Sequence, residues 1–187
     1  GLSLLQVNKD LVVGSTAVVV GAGLMISLKD KNDINLKARN YEYFFNRAQD
    51  KFELADYEEA ILDYNKALEL SPTEICLVYS MRGNAKRNSG DFDGAISDQN
   101  KALDFDPLYA DGYFNRGIAN FKKGNFDGAI QDYSQVIKIK PKDSDALFNR
   151  ANVKKEIGEM KGACEDWRQA AELGDNDAKK FLREHCE

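Results

Sequence analysis

One spacing constrains this chain more than any other property. Ala60, Ala95, Ala129 and Ala163 recur at steps of 35, 34 and 34 residues. Arg47, Arg82, Arg116 and Arg150 keep the same steps, and so do Asp63, Asp98, Asp132 and Asp166. Pro72, Pro107 and Pro141 close the first three units. A fixed period in this range specifies stacked supersecondary units rather than one closed globule, because no single unit can bury its own apolar face. Such stacks expose a long concave surface whose usual work is to bind other chains.

Each unit reads as two helices joined by a tight turn. In the third, Tyr113, Phe114, Gly117, Ile118 and Phe121 fall at helical spacing. Gly124 supplies a residue that ends a helix in the left-handed conformation, and Asn125 can cap the next helix. That second helix carries Phe126, Ala129, Ile130, Tyr133, Val136 and Ile137 on one broad face. Gly90 and Gly158 take the same turn position in the second and fourth units, where the first unit has Ala55.

These positions resemble the tetratricopeptide repeat (TPR) pattern: an aromatic early in the first helix, a small residue four positions on, a small residue early in the second helix, an aromatic after it, and a closing Pro. The first unit holds Phe44, Ala48, Ala60, Tyr64 and Pro72; the second Tyr79, Gly83, Ala95, Gln99 and Pro107; the third Tyr113, Gly117, Ala129, Tyr133 and Pro141. The fourth matches at Leu147, Ala151, Ala163 and Trp167, but Asp175 replaces the Pro. The resemblance implies an all-α, right-handed TPR superhelix of four helix-turn-helix repeats over 41–174 (41–74, 76–109, 110–143 and 144–174), with a capping helix over 175–187.

The place that usually holds Leu in this family holds Arg in all four units, and an Asp follows sixteen residues later. The first residue lies on the first helix and the second on the second helix, so an Arg–Asp ladder along the stack is expected. Structural ion pairs are the leading reading and a ligand-binding Arg row is the other; a guanidinium can pair with a carboxylate bidentately in either role.

A second feature lies outside the repeats. Residues 11–28 carry no charge, with Lys9 and Asp10 before them and Lys29, Asp30 and Lys31 after. As a helix the run would be about 27 Å long, close to a hydrocarbon core of about 30 Å. A single membrane span leads, with 1–10 before it and a linker or helix extension over 29–40 after it; an export signal and a soluble packing segment are the alternatives. Gly14, Ala17 and Gly21 would share one helix face, a smooth strip that a second membrane helix could approach. Lys29, Lys31, Lys37 and Arg39 follow the span against Lys9 before it, a bias that expects the repeats on the cytoplasmic or stromal side. The glycines of Val20-Gly21-Ala22-Gly23 do not make a dinucleotide turn, because Ile26 stands where a third glycine is needed.

The net charge is −5 and no basic run interleaves with aromatics, so nucleic acid is an unexpected partner. No Cys/His cluster has metal spacing, and no phosphate loop or nucleophile elbow appears. The chain is expected to be neither an enzyme nor a cofactor binder. Cys76, Cys164 and Cys186 are too few for a disulfide framework. They read as small buried thiols, with a Cys164–Cys186 bridge as the alternative.

In TPR proteins the first helix of each unit lines the concave groove. The resemblance therefore implies a partner-binding surface of Phe45, Gln49 and Phe52 from the first unit and Ser80, Asn84 and Arg87 from the second. The third would add Phe114, Ile118 and Phe121, and the fourth Phe148, Asn152 and Lys155. Ser80 would open a gap in the row of rings. Aromatic rings and amides suit an extended peptide or a partner helix. One TPR subclass grips a chaperone's C-terminal carboxylate with basic residues. The matching places here hold Phe45, Gln49, Met81, Asp111 and Asn115, so that clamp is not expected.

The whole is similar to bacterial and cyanobacterial TPR proteins, some of which carry one N-terminal span and assist assembly of photosynthetic complexes. The resemblance implies a membrane-anchored adaptor for a protein partner, possessing no cofactor. The alternative is an integral structural subunit of a membrane complex held mainly by its membrane helix.

Overall fold

Helix pairing follows from where the chain places its smallest residues. In the computed structural model, which describes residues 17–18, 26–70 and 74–186, Ala60, Ala95, Ala129 and Ala163 are 0–1% exposed. Each lies where two helices of one unit touch. Opposite them stand Ala48, Gly83, Gly117 and Ala151, which are also buried. A Cβ added at Gly117 would come within 2.9 Å of the Tyr133 ring, and one at Gly83 within 2.8 Å of the Gln99 amide. The small residue on the first helix is thus the seat for the large one on the second.

Four helix pairs result: α1 (Leu28–Glu53) with α2 (Tyr57–Glu69), α3 (Ile75–Asn88) with α4 (Phe92–Phe105), α5 (Ala110–Lys123) with α6 (Phe126–Ile139), and α7 (Ser144–Glu156) with α8 (Met160–Glu172). A last helix, α9 (Asn176–His185), follows. Each helix packs on the one before and the one after it, and α3 also touches α5, so first helices of adjacent units stand side by side.

The turns show why the pattern carries glycine. Gly124 has φ 84° and its counterpart in the first unit, Ala55, has φ 62°; Ala55 holds that left-handed conformation at a steric cost glycine does not bear. Helix starts are fixed by side chains. Asp91, Asn125, Asp143 and Asp175 accept hydrogen bonds from the backbone N–H of Gly94, Gly128, Ala146 and Ala178.

The N-terminal expectation needs correction where the structure describes it. Ala17–Val18 (β1) pairs antiparallel with Ile26–Ser27 (β2), so the backbone is extended at these residues rather than part of one continuous helix over 11–28. Ala17 therefore does not share a helix face with Gly14 and Gly21. Those two glycines, and most of the span, lie outside the described residues. No helix among the described residues is long and apolar enough to cross a membrane. Of the two readings of 29–40, the helix extension is the one seen: α1 begins at Leu28 and runs unbroken into the first unit.

At the other end, a disulfide joins Cys164 in α8 to Cys186 just after α9, with 5.8 Å between Cα atoms. It ties the end of α9 back across Trp167, whose ring lies 5.2 Å from Phe181 and 5.9 Å from His185.

Candidate interaction groove

Each first helix presents two unlike faces. Phe45 and Arg47 are two residues apart, so they lie about 200° apart around α1. The arginine face packs toward the second helices. Arg47 donates from Nε and Nη2 to both carboxylate oxygens of Asp63, each at 2.6 Å. Arg82 does the same to Asp98 at 2.7 and 2.6 Å, and Arg150 to Asp166 at 2.8 and 2.7 Å. Arg116 reaches Asp132 at 2.6 Å through Nη2. The structure brings all four pairs together, and the four carboxylates are buried.

Two further periodic series complete these pairs. Lys51, Lys86 and Lys154 make a second ion pair to the same carboxylates at 2.9, 2.8 and 2.7 Å. Asn120 takes that place in the third unit, donating to Asp132 at 2.9 Å. The remaining arginine nitrogen reaches the preceding unit: Arg82 donates to Asn65, Arg116 to Asn100 and Arg150 to Ser134, at 2.5, 2.6 and 2.9 Å. From the second unit on, each rung thus joins its own two helices and the unit before, whereas Arg47 gives its remaining nitrogen to the Tyr43 hydroxyl at 2.8 Å. Hydrogen bonds from Arg47, and then from Lys51, hold the Asp63 carboxyl below the usual aspartate range.

The opposite face carries the residues assigned to the groove. Its rings are half-buried, with one edge in the core. Phe45 stacks on Tyr41 at 5.7 Å and meets Tyr64 edge-on at 6.0 Å. Phe114 meets Tyr133 at 5.6 Å, Phe52 meets Tyr57 at 5.5 Å, and Phe121 lies 5.8 Å from Phe126. Ile118 packs beside Ala129, Tyr133 and Val153. Gln49 is half-buried on the same face of α1. The amides are engaged from behind: Gln99 donates to Asn84 at 3.4 Å and the Trp167 indole to Asn152 at 3.2 Å.

Two assignments change. Ser80 is 1% exposed and opens no gap. Gln99 donates to its backbone carbonyl at 3.0 Å, which draws this turn of α3 against α4. In the fourth unit, α9 covers part of the face: Phe181 meets Phe148 edge-on at 5.4 Å and Lys155 Nζ lies 5.5 Å from the Phe181 ring centre. Among the described residues the open groove is therefore the face of α1, α3 and α5. Of the places compared with the chaperone clamp, Asp111 is already paired with Lys140 at 2.9 Å.

Arg87 stands apart from every arginine of the ladder. It is half-buried on α3, its Nε is shut off from solvent, and among the described residues that nitrogen has no hydrogen-bond partner. The phenols of Tyr133 and Tyr57 are the ionisable groups that act on it, and burial lowers its affinity for its proton. Among the described residues no cluster of His, Cys, Asp and Glu could hold a metal ion.

The comparisons agree with this architecture. Tetratricopeptide repeat models match residues 41–74 and 110–143, and a TPR repeat model matches 83–124. A search of curated proteins found no match. Among solved structures, a crystal structure of MamA is 23% identical with a TM-score of 0.69, covering 80% of this chain and 86% of that one. The first TPR of Spaghetti (RPAP3), bound to the HSP90 peptide SRMEEVD, is 23% identical with a TM-score of 0.60, covering 64% of this chain and 94% of that one. The Sgt2 TPR domain from Aspergillus fumigatus is 23% identical with a TM-score of 0.59, covering 65% and 81%. At such identities the likeness is one of fold, and together with the matched segments and the four helix pairs it makes this chain a tetratricopeptide repeat protein.

Proposed function

We propose that this protein is an interaction scaffold that holds a segment of a protein partner, an extended peptide or a helix, against α1, α3 and α5. The observation that carries the reading is the division of labour on each first helix. One face is fastened by ion pairs within its own unit and, from the second unit on, by hydrogen bonds to the unit before, while among the described residues the other leaves open half-buried rings on α1 and α5 and, between them, Asn84 and Arg87 on α3. Rings held by one edge keep their positions when a partner leaves, so little side-chain entropy is lost on binding. The structural relative bound to a peptide supports a peptide-sized occupant.

Ile118 lies mid-groove and is half-buried. Peptides selected from a random display library on the full chain should lose at least tenfold in affinity for Ile118→Lys, a cost of about 1.4 kcal/mol or more. A charged substitution on the outer side, Glu69→Lys, should leave them unaffected. Equal loss with both variants, or with neither, would refute the groove as the binding face.

The uncharged run 11–28 supports a second element: the chain is held at a membrane, and the scaffold works on a partner there. Full-length protein should stay with the membrane fraction after alkaline extraction, and protein lacking residues 1–27 should not. Release of both refutes the anchor and leaves the groove reading intact.

A further inference from the structure

Arg87 is a half-buried cation that the ladder does not use, and unlike Lys155, whose Nζ lies over the Phe181 ring, it has a nitrogen shut off from solvent. Seven cations of the ladder, on the four first helices, reach a buried Asp, and Lys123 and Lys140 reach Asp93 and Asp111 on the surface. Among the described residues no carboxylate forms an ion pair with Arg87. A guanidinium cannot shed its charge at neutral pH, and its Nε, shut off from solvent with no acceptor among the described residues, carries a desolvation cost that no built-in partner offsets. That deficit is removed by any carboxylate brought in from outside.

The location limits what can bring it. Arg87 takes the place in the second unit that Phe52 holds in the first and Phe121 in the third, so rings flank it along the track in both directions. No carboxylate among the described residues is paired with it. A ligand that reaches Arg87 continues past it both ways. A chain terminus would stop there, and an internal acidic residue would not.

We infer that Arg87 anchors a side-chain carboxylate, from an Asp or Glu within a partner peptide whose apolar residues lie on the rings to either side. The inference rests on the groove reading and specifies its partner: an apolar segment with one central acid. The pairing is bidentate in kind, the planar fork of the guanidinium meeting the two carboxylate oxygens in a site sheltered from water. The chain's own net charge of −5 makes the anchor selective in place: acidic segments are repelled by the surface at large and accepted at this one point.

The test is a selection of random twelve-residue display peptides on the full chain and on two variants, Arg87→Gln and Arg87→Met, each first shown by circular dichroism to keep the wild-type helical signal. Wild type should enrich peptides with Asp or Glu at one fixed position between apolar residues. On both variants the acidic preference should vanish while the apolar preference stays. A wild-type peptide should bind the variants about thirtyfold more weakly, and its Asp→Asn or Glu→Gln form should bind wild type and variants alike. Enrichment of apolar peptides with no acidic position refutes the anchor and leaves the groove standing. An acidic preference that survives both variants also refutes it. If no peptide is enriched, or those enriched are insensitive to Ile118→Lys, the groove reading fails and the anchor with it. Should Arg87→Gln lose helical signal, Arg87→Met, which keeps the apolar stem and removes the charge, carries the comparison.

Discussion

Two arginines on α3, five residues apart, have opposite fates. Arg82 and Arg87 lie about 140° apart around the helix axis. Arg82 is enclosed by its partners: both oxygens of Asp98 and the Asn65 amide accept from it, and its alkyl stem and guanidinium lie against the Tyr79 ring. Arg87 is half-buried, its Nε shut off from solvent, with no counter-ion among the described residues. The same residue type, on the same helix, is a fastener on one face and an unmet charge on the other. The difference teaches that a buried charge reads as structure only when its partner is built in; when the partner is missing, the position points outward to a ligand.

The strongest way to break the comparison is to give Arg82 the condition of Arg87. Asp98 is 1% exposed, and both Arg82 and Lys86 depend on it. Asp98→Ala leaves two half-buried cations facing a small void, and the expected loss is about 3–5 kcal/mol in urea unfolding. Asp98→Asn, which fills the space but removes the charge, should recover only a minor part. A loss under about 1 kcal/mol, the range of exposed pairs, would show the rung to be a surface ion pair with no structural weight.

Exchanging the two arginines for methionine sharpens it further. Arg82→Met should destabilise by about 2 kcal/mol, since Asp98 keeps Lys86 but loses two charge-assisted hydrogen bonds. Arg87→Met should be neutral or raise the melting temperature, because an unpaired charge leaves a sheltered site and the stem remains. Equal losses at both positions would mean that Arg87 has a structural partner after all.

Much of this architecture was legible in the residues. The Ala, Arg and Asp series fixed the helix pairs and which faces meet, since a period survives only where each unit repeats the same contacts. The series Lys51, Lys86, Asn120, Lys154 and the series Asn65, Asn100, Ser134 keep the same steps and were equally open to reading. They are less conspicuous because their residue type changes while their hydrogen-bonding role does not. Ser80 misled because spacing along α3 assigns it to the groove, whereas it is buried, with Gln99 of α4 bonded to its carbonyl. Arg87 sits in the expected groove by spacing alone, but its want of a partner is a property of three units at once. The N-terminal hydrophobicity read as a helix because composition sets burial, whereas the local pairing of Ala17–Val18 with Ile26–Ser27 is set by chain reversal.

Acid offers a milder test of the fastened face. Asp63 is held below the ordinary aspartate range, first by Arg47 and then by Lys51. A carboxyl so lowered adds stability that is complete above its unfolded value, about 3.9. That stability is lost as the pH falls through the lower folded value. As the pH falls below that unfolded value the wild type should therefore lose stability. Arg47→Met should flatten that limb, with Lys51 retaining part of it, and leave the neutral-to-pH-5 region level. Urea midpoints collected across this range decide the matter; an unchanged acid limb in Arg47→Met would assign the acid sensitivity elsewhere. Arg87→Met should not alter the limb, since no carboxylate among the described residues depends on Arg87.

The smallest expected effect lies in the link between units. Arg82 Nη1 donates to Asn65, which belongs to α2 of the preceding unit. Stacked repeats gain stability from each unit and from each junction, so a junction contact shows as coupling more than as bulk stability. Asn65→Ala should cost about 1.5 kcal/mol, the lower end of the net worth of one hydrogen bond to a charged donor. The informative quantity is the double-mutant cycle: Asn65→Ala together with Arg82→Met should cost less than their sum by roughly that same amount, because the second change removes a contact already lost. Asn65→Ala combined with Arg87→Met should be additive, the two sharing no contact. Additivity in the first cycle would confine each rung to its own unit. Non-additivity in the second would couple the groove to the ladder, so that a carboxylate seated on Arg87 would alter how firmly the first two units are joined.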